Sequence, residues 1–211
     1  MNKEEKIKED LSYSSEESVV ALIGPIASGK GTVADLLINQ EGYTPFNYGD
    51  VIFEERTRLG LKEERKNSNA VGASLRLRFG NDVIARKIAA SIQKFRNQKL
   101  LQKILIDGLR HPDEIVWVKK NLGAQVVGIN ASQEVRYQRS VKRNRIVDPK
   151  LRADFNEVDE EDRGVNIQDH ANQTDACLKL ADIIIENNDE DIEEYIKKFR
   201  EGLKALGILN K

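Results

Sequence analysis

One cysteine, two histidines, one tryptophan and no apolar run near the length of a membrane span exclude several kinds of protein at once. Cys177 has no partner for an internal disulfide, and His111 and His170 make no cluster that suits zinc. A nucleophilic thiol needs an exposed, electropositive setting, so Cys177 is expected as a half-buried helical residue instead. The opening MNKEEKIKEDLSYSSEES lacks the apolar core of a secretory signal, and a spanning helix needs roughly 20 apolar residues. No membrane contact is expected, and the chain reads as cytoplasmic. An excess of either charge is also missing: 34 Lys and Arg stand against 35 Asp and Glu, for a net charge of −1. That balance gives no global electrostatic case for nucleic acid or an anionic bilayer.

What is there is patterned. The 211 residues suit one well-packed domain. Residues 1–17 read as a charged tail, and residues 18–211 as the domain. Short apolar runs, SVVALI, TPFNY, KILID, AQVVGIN and ADIIIEN, alternate with amphipathic segments at Lys30–Gln40, Asp50–Leu59, Pro112–Asn121, Ser132–Arg143 and Glu190–Leu206. Strand, helix, strand, helix predicts an α/β fold, a five-stranded parallel sheet covered by helices on both faces. Between the second and third strands, NAVGASLRLRFGNDVIARKIAASIQKF reads as two helices punctuated by Gly80. Residues 50–98 thus form a helical insertion over the carboxyl edge of the sheet, where open α/β sheets bind ligands. Residues 145–170 have Pro149, a dense acidic run and weak apolar periodicity, which fits a mobile lid or a solvated surface loop. A monomer or a small homo-oligomer is expected.

The stretch VVALIGPIASGKGTVADLL carries the strongest chemical signal. Gly24 to Lys30 fits G-x-x-x-x-G-K, a pattern that roughly one chain in twenty of this length shows by chance. Its setting strengthens it, because an apolar strand ends at Gly24 and a helical pattern starts at Lys30. Small residues, Gly24, Ala27, Ser28, Gly29 and Gly31, let backbone amides line a concave nest, the helix N-terminus adds its dipole, and Lys30 supplies a point charge. The ligand such a cradle suits is the phosphate tail of a nucleoside triphosphate, ATP or GTP.

Three other segments bear on phosphate chemistry. Asp50 opens the helix after the second strand, either as an N-cap or as a base for an acceptor hydroxyl. Asp107 ends the third strand, with Gly108 and Arg110 behind it; the carboxylate is placed to orient metal-bound water and the guanidinium to clamp a phosphate. RYQRSVKRNR puts Arg136, Arg139 and Arg143 at i, i+3 and i+7, with Arg145 just beyond. Such a stripe is usually solvated; leading into a lid, it suits cations over a transferring phosphoryl group.

GKGT in place of GK[ST] resembles the adenylate-kinase branch of P-loop kinases. That resemblance implies Mg²⁺ bridging the nucleotide phosphates, with Thr32 beside it. In that branch a GD pair begins the acceptor-binding helix and an arginine follows three residues later; here the position is Phe53, and Arg56 one turn on is its candidate substitute. IDGLRHPDE resembles the DGxPR turn of adenylate kinases and, more closely, the DGIR of an archaeal family of adenylate-kinase-related proteins. YGDVIFEER, LRLRFGNDVIARKI, RYQRSVKRNRIVDP and LADIIIEN occur in that family's order. The likeness implies Arg76 at the acceptor phosphate. LADIIIENNDEDIEEYIKKF is also similar to the last strand and helix of dephospho-CoA kinases, which implies that Asn187 borders the donor base. The expected activity is transfer of the terminal phosphate of ATP to a small nucleotide acceptor, a nucleoside or deoxynucleoside monophosphate. Dephospho-CoA is the alternative acceptor, and a nucleotide-driven switch or sensor is the alternative from another class.

Overall fold

The computed structural model describes residues 17–97, 102–143, 149, 151–165, 169–188 and 191–209. Five runs rich in Val, Ile and Leu pair into one sheet: β1 (Ser18–Ile23), β2 (Thr44–Asn47), β3 (Lys103–Asp107), β4 (Gln125–Asn130) and β5 (Ile183–Glu186). Their order is β2-β3-β1-β4-β5, and all four pairings are parallel, as the alternating pattern predicts. Leu22 of β1 and Asn47 of β2 both register against Asp107, so three strands end together at one carboxyl edge.

The described helices are α1 (Lys30–Asn39), α2 (Tyr48–Arg58), α3 (Arg65–Phe79), α4 (Val83–Arg96), α5 (Pro112–Leu122), α6 (Gln133–Arg143), α7 (Arg152–Arg163), α8 (Thr174–Leu178) and α9 (Ile192–Ala205). On one face, α2 to α5 and α8 bury Ile52, Leu75, Ile88 and Ile115 against Ala21 and Ile106. On the other, α1 and α9 bury Leu37 and Phe199 against Leu22 and Val127. Local chemistry starts α5 cleanly: His111 accepts from the Asp113 amide, Glu114 reaches back to the His111 amide, and Pro112 takes the first helical position. Cys177 lies on α8 and is fully buried, deeper than expected; burial raises its thiol pKa, so it stays protonated. No helix among the described residues is long and apolar enough to cross a membrane.

Part of the segment expected to be a lid or loop is a packed helix, α7. Phe155, Asp159 and Asp162 recur at i, i+4 and i+7 and form its buried face. Two of those three positions hold carboxylates, which is why apolar periodicity hides the helix. Phe155 packs on Ile26 and Ala27, so α7 covers the loop after β1. Residues 1–16, 144–148 and 166–168, and with them most of the charged tail and parts of the expected lid, lie outside the described residues.

Candidate nucleotide and acceptor site

The loop from Gly24 to Lys30 is shaped by close approaches that exclude side chains. Gly24 has φ +147°, and a Cβ there would stand 2.0 Å from the Ile129 carbonyl oxygen. Gly29 has φ +106°, and its Cβ would stand 2.2 Å from Asn187 Nδ2. Ala27, with φ +59°, holds a left-handed conformation at a cost of about 1–2 kcal/mol. Two amides close within the loop, Ser28 to the Pro25 carbonyl at 3.3 Å and Thr32 to the Gly29 carbonyl at 3.2 Å. Among the described residues, the amides of Ala27, Gly29, Lys30 and Gly31 meet no backbone acceptor. They sit where a strand hands over to a helix N-terminus, the arrangement that suits an anion.

Residues Ile26 to Thr32 line a cavity of about 720 Å³ together with Asp35, Asp107, Arg65, Arg110, Arg139 and Arg143. The structure therefore brings Ala27, Ser28, Gly29, Lys30, Gly31, Thr32, Asp107, Arg110, Arg139 and Arg143 to one place. Gly24 stands behind the cavity, where its carbonyl accepts from Lys30 Nζ at 2.6 Å; the Pro25 carbonyl accepts from the same amine at 3.1 Å.

Burial lowers the Lys30 pKa to about 8, Asp107 pulls it back up, and Arg110 lowers it further. A bound polyphosphate favours the ammonium form, so the bound state holds its proton to higher pH. Affinity for a nucleotide should thus be full below pH 8 and fall as pH rises above about 8, by up to tenfold per unit, with up to one proton taken up on binding above that pH and none below it. Titrating ADP from pH 6.5 to 9.5 by calorimetry checks this. Lys30→Met should abolish the slope, and an equal slope in both proteins contradicts the assignment.

Asp107 is held above the usual carboxylate range by burial, with Lys30 and Arg110 drawing it down. Its Oδ1 is buried without a hydrogen-bond partner, as is Ser28 Oγ. With the Thr32 hydroxyl on the same cavity wall, these orphaned oxygens fit a hydrated Mg²⁺ beside phosphate, a cation that keeps most of its water. No group of three or more His, Cys, Asp or Glu residues that could hold a metal occurs among the described residues.

On the donor side one site residue is placed differently from expectation, and a second has an added partner. Asn187 does not line the cavity. It is buried behind the loop, where Nδ2 donates to the Ser28 carbonyl at 2.8 Å and its amide donates to the Asn130 carbonyl at 2.7 Å. Arg139 reaches the cavity wall, yet its fork grips Asn187, at 2.9 Å to the carbonyl and 3.2 Å to Oδ1. Tyr195 OH completes this clasp on the Gly29 carbonyl at 3.1 Å. Arg145 lies outside the described residues. Arg136, the first arginine of the stripe, faces inward: Nη1 and Nη2 pair with Asp159, the latter at 2.8 Å, while Nε donates to the Ala131 carbonyl at 3.0 Å.

A second cavity of about 250 Å³ opens between α2 and α3, lined by Tyr48, Gly49, Phe53, Arg56, Arg65, Ser68, Asn69 and Arg110 among others. Phe53 and Arg56 meet here, the guanidinium 5.5 Å from the ring centroid and bonded to Ser68 Oγ at 3.2 Å. Arg110 and Arg65 line both cavities and so stand at their junction. Arg65 carries no motif in the sequence; only its place at the start of α3 marks it. Arg76, expected at the acceptor, is instead buried in the core, 0% exposed, with Nε on Glu114 at 2.9 Å and Nη1 on Asn172 Oδ1 at 3.2 Å. Asp50 is exposed on the first turn of α2, accepts from Asn47 Nδ2 at 3.0 Å, and lines neither cavity.

Sheet order, phosphate loop and flanking cavities define a P-loop kinase-like domain. Residues 23–157 match a family model described as an AAA domain, and the protein belongs to that family. The UPF0200 protein of Methanosarcina barkeri is 31% identical over 129 residues, 60% of this chain and 67% of that one. The UPF0200 protein of Thermococcus sibiricus is 24% identical over 196 residues, 92% of this chain and 97% of its own. The UPF0200/UPF0201 protein of Archaeoglobus fulgidus is 28% identical over 193 residues; the chain spans 56% of that protein's length. Among solved structures, TT1252 from Thermus thermophilus superposes with a TM-score of 0.60 at 17% identity, over 93% of this chain and 100% of that one. Shikimate kinase from Acinetobacter baumannii in complex with shikimate gives 0.53 at 14% identity, over 92% and 96%. Both are likenesses of fold.

Proposed function

We propose that the protein transfers the terminal phosphate of ATP to a nucleotide acceptor that already carries a phosphate, a nucleoside or deoxynucleoside monophosphate. The observation that carries this is the junction: a phosphate loop with Lys30 on one side, a cavity on the other that holds Phe53 and Arg56 with Glu63 and Glu64 at its wall, and Arg110 lining both. In the reaction the bond from the terminal phosphorus to the ADP oxygen breaks, and a new one forms to an acceptor phosphate oxygen. An acceptor phosphate arrives ionised, so no base is required; positioning and positive charge are. Lys30 and the loop amides hold the donor tail, Arg110 faces the group in flight, and Arg56 and Phe53 hold the acceptor. Thr32 and Asp107 are the residues for Mg²⁺, which supplies charge neutralisation at the phosphates when bound.

The place of Asp50 outside both cavities counts against the hydroxyl acceptor of a dephospho-CoA kinase, which needs a proton removed. The deciding experiment incubates the protein with ATP, Mg²⁺ and each nucleoside monophosphate, deoxynucleoside monophosphate or dephospho-CoA, and follows ADP. Stimulation by a monophosphate is expected. ADP formation indifferent to every acceptor would point to the switch or sensor instead. Arg56→Ala should raise the KM of the best acceptor about tenfold to a hundredfold, with kcat nearly held, because a charged hydrogen bond is worth about 1.5–3 kcal/mol. A fall in kcat at constant KM would move Arg56 out of the acceptor site.

A further inference from the structure

We infer that Asp162, a carboxylate lining neither cavity, is a positioning residue for phosphate transfer: it fixes the Arg110 guanidinium at the junction between the two cavities. The inference rests on the phosphotransfer reading above. Asp162 lies on the buried face of α7 and is 1% exposed. Its Oδ1 accepts from Arg110 Nη1 and, at 3.4 Å, from Asn172 Nδ2.

Arg110 is fixed on its other sides too. Its amide donates to Glu114 Oε2 at 2.9 Å, its carbonyl accepts from the Gln173 amide at 2.7 Å, and its guanidinium lies 5.4 Å from the Tyr48 ring centroid. What remains of this side chain faces the two cavities. A long side chain with large rotamer freedom is thereby presented in one orientation before any ligand arrives, which is how a pre-organised cation contributes to transfer.

The pair also leaves polar atoms unsatisfied. Arg110 Nε and Asp162 Oδ2 are both buried without a hydrogen-bond partner. Such orphans are uncommon, although the fully buried Arg76–Glu114 pair leaves Arg76 Nη2 in the same state. Here they accompany a geometry that turns one edge of the guanidinium outward.

Asp159 sits one turn earlier on the same helix and pairs with Arg136, which also reaches the Ile26 carbonyl of the phosphate loop at 3.4 Å. Helix α7 therefore supplies one carboxylate behind the donor loop and one behind the junction.

The test uses the full chain, ATP, Mg²⁺ and the acceptor that gives the highest rate. Asp162→Asn keeps the shape and removes the charge; kcat should fall about 100-fold, the size a misplaced reacting group commonly costs. The KM for ATP and the affinity for a fluorescent ATP analogue should stay within about twofold. Arg110→Ala should lose a similar factor and regain at least about tenfold of it in millimolar methylguanidinium. The Arg110→Ala/Asp162→Asn double variant, which has no unpaired buried charge and so guards against a failure to fold, should regain nothing. Asp162→Asn with kcat within twofold of the parent, or equal rescue of both alanine variants, overturns the assignment and leaves the phosphotransfer reading standing. A parent protein that no acceptor stimulates removes both.

Discussion

Lys30→Met is expected to lower acceptor-dependent ADP formation by about 10²–10³ in kcat, the size typical for losing one pre-organised charge at a transferring group. The isosteric side chain keeps the helix start, because Lys30 is the first residue of α1 and its backbone is untouched. Among the described residues the amine's hydrogen bonds go to the Gly24 and Pro25 carbonyls, and its loss also removes an attraction to Asp107, so stability should change little or rise. Below pH 8 the parent carries a desolvated ammonium in the folded state, an unfavourable contribution that is relieved as pH rises from about 8 toward the unfolded value of 10.5. Methionine removes it at every pH. Thermal unfolding at pH 7 and steady-state kinetics together check the claim. A variant that keeps its rate would show that the amine takes no part in transfer.

Asp159→Ala is expected to cost about 3–5 kcal/mol, because it leaves the Arg136 guanidinium buried without its counter-charge. Both side chains are 1% exposed, so water does not replace the lost partner. At roughly 2–4 °C per kcal/mol for a chain of this size, Tm should fall by about 6–20 °C. The double variant Arg136→Met/Asp159→Leu should recover most of that loss, since an apolar pair of similar volume replaces an ion pair at little net cost. Calorimetry on the three proteins measures it. A single variant within 1 °C of the parent would mean that α7 does not hold the loop through this pair.

The fold was legible because its strands are short, apolar and regularly interleaved with amphipathic helices. The parallel order follows once each helix must cross from one strand to the next. The phosphate loop was legible too, since its amides need small residues at fixed spacing and leave a visible mark: Gly24, Ser28, Gly29, Lys30. Arginines were much less readable. Arg136, Arg139 and Arg143 look alike along one helical face, yet the first is buried on Asp159, the second clasps Asn187 at the cavity wall and the third lines the cavity. Which arginine does what is decided by partners 23 and 48 residues away, which no local spacing encodes. Arg76 shows the same limit. Its helix places it correctly near α5, but Glu114 turns it into the core. The inward facing of Asp159 and Asp162 is illegible for the opposite reason, since both are carboxylates at positions where apolar periodicity expects leucine.

The hydrogen bond from Asn187 to the Ser28 carbonyl joins positions 159 residues apart, and Tyr195 reaches Gly29 from further still. A growing chain therefore possesses the whole glycine bend early in translation without the props that hold it open. Both contacts can form only after the fifth strand has been made and has docked. A shortened chain stopped before Asn187 keeps the signature residues Gly24 to Lys30 but lacks both contacts, and is expected to bind a nucleotide more weakly than the full chain.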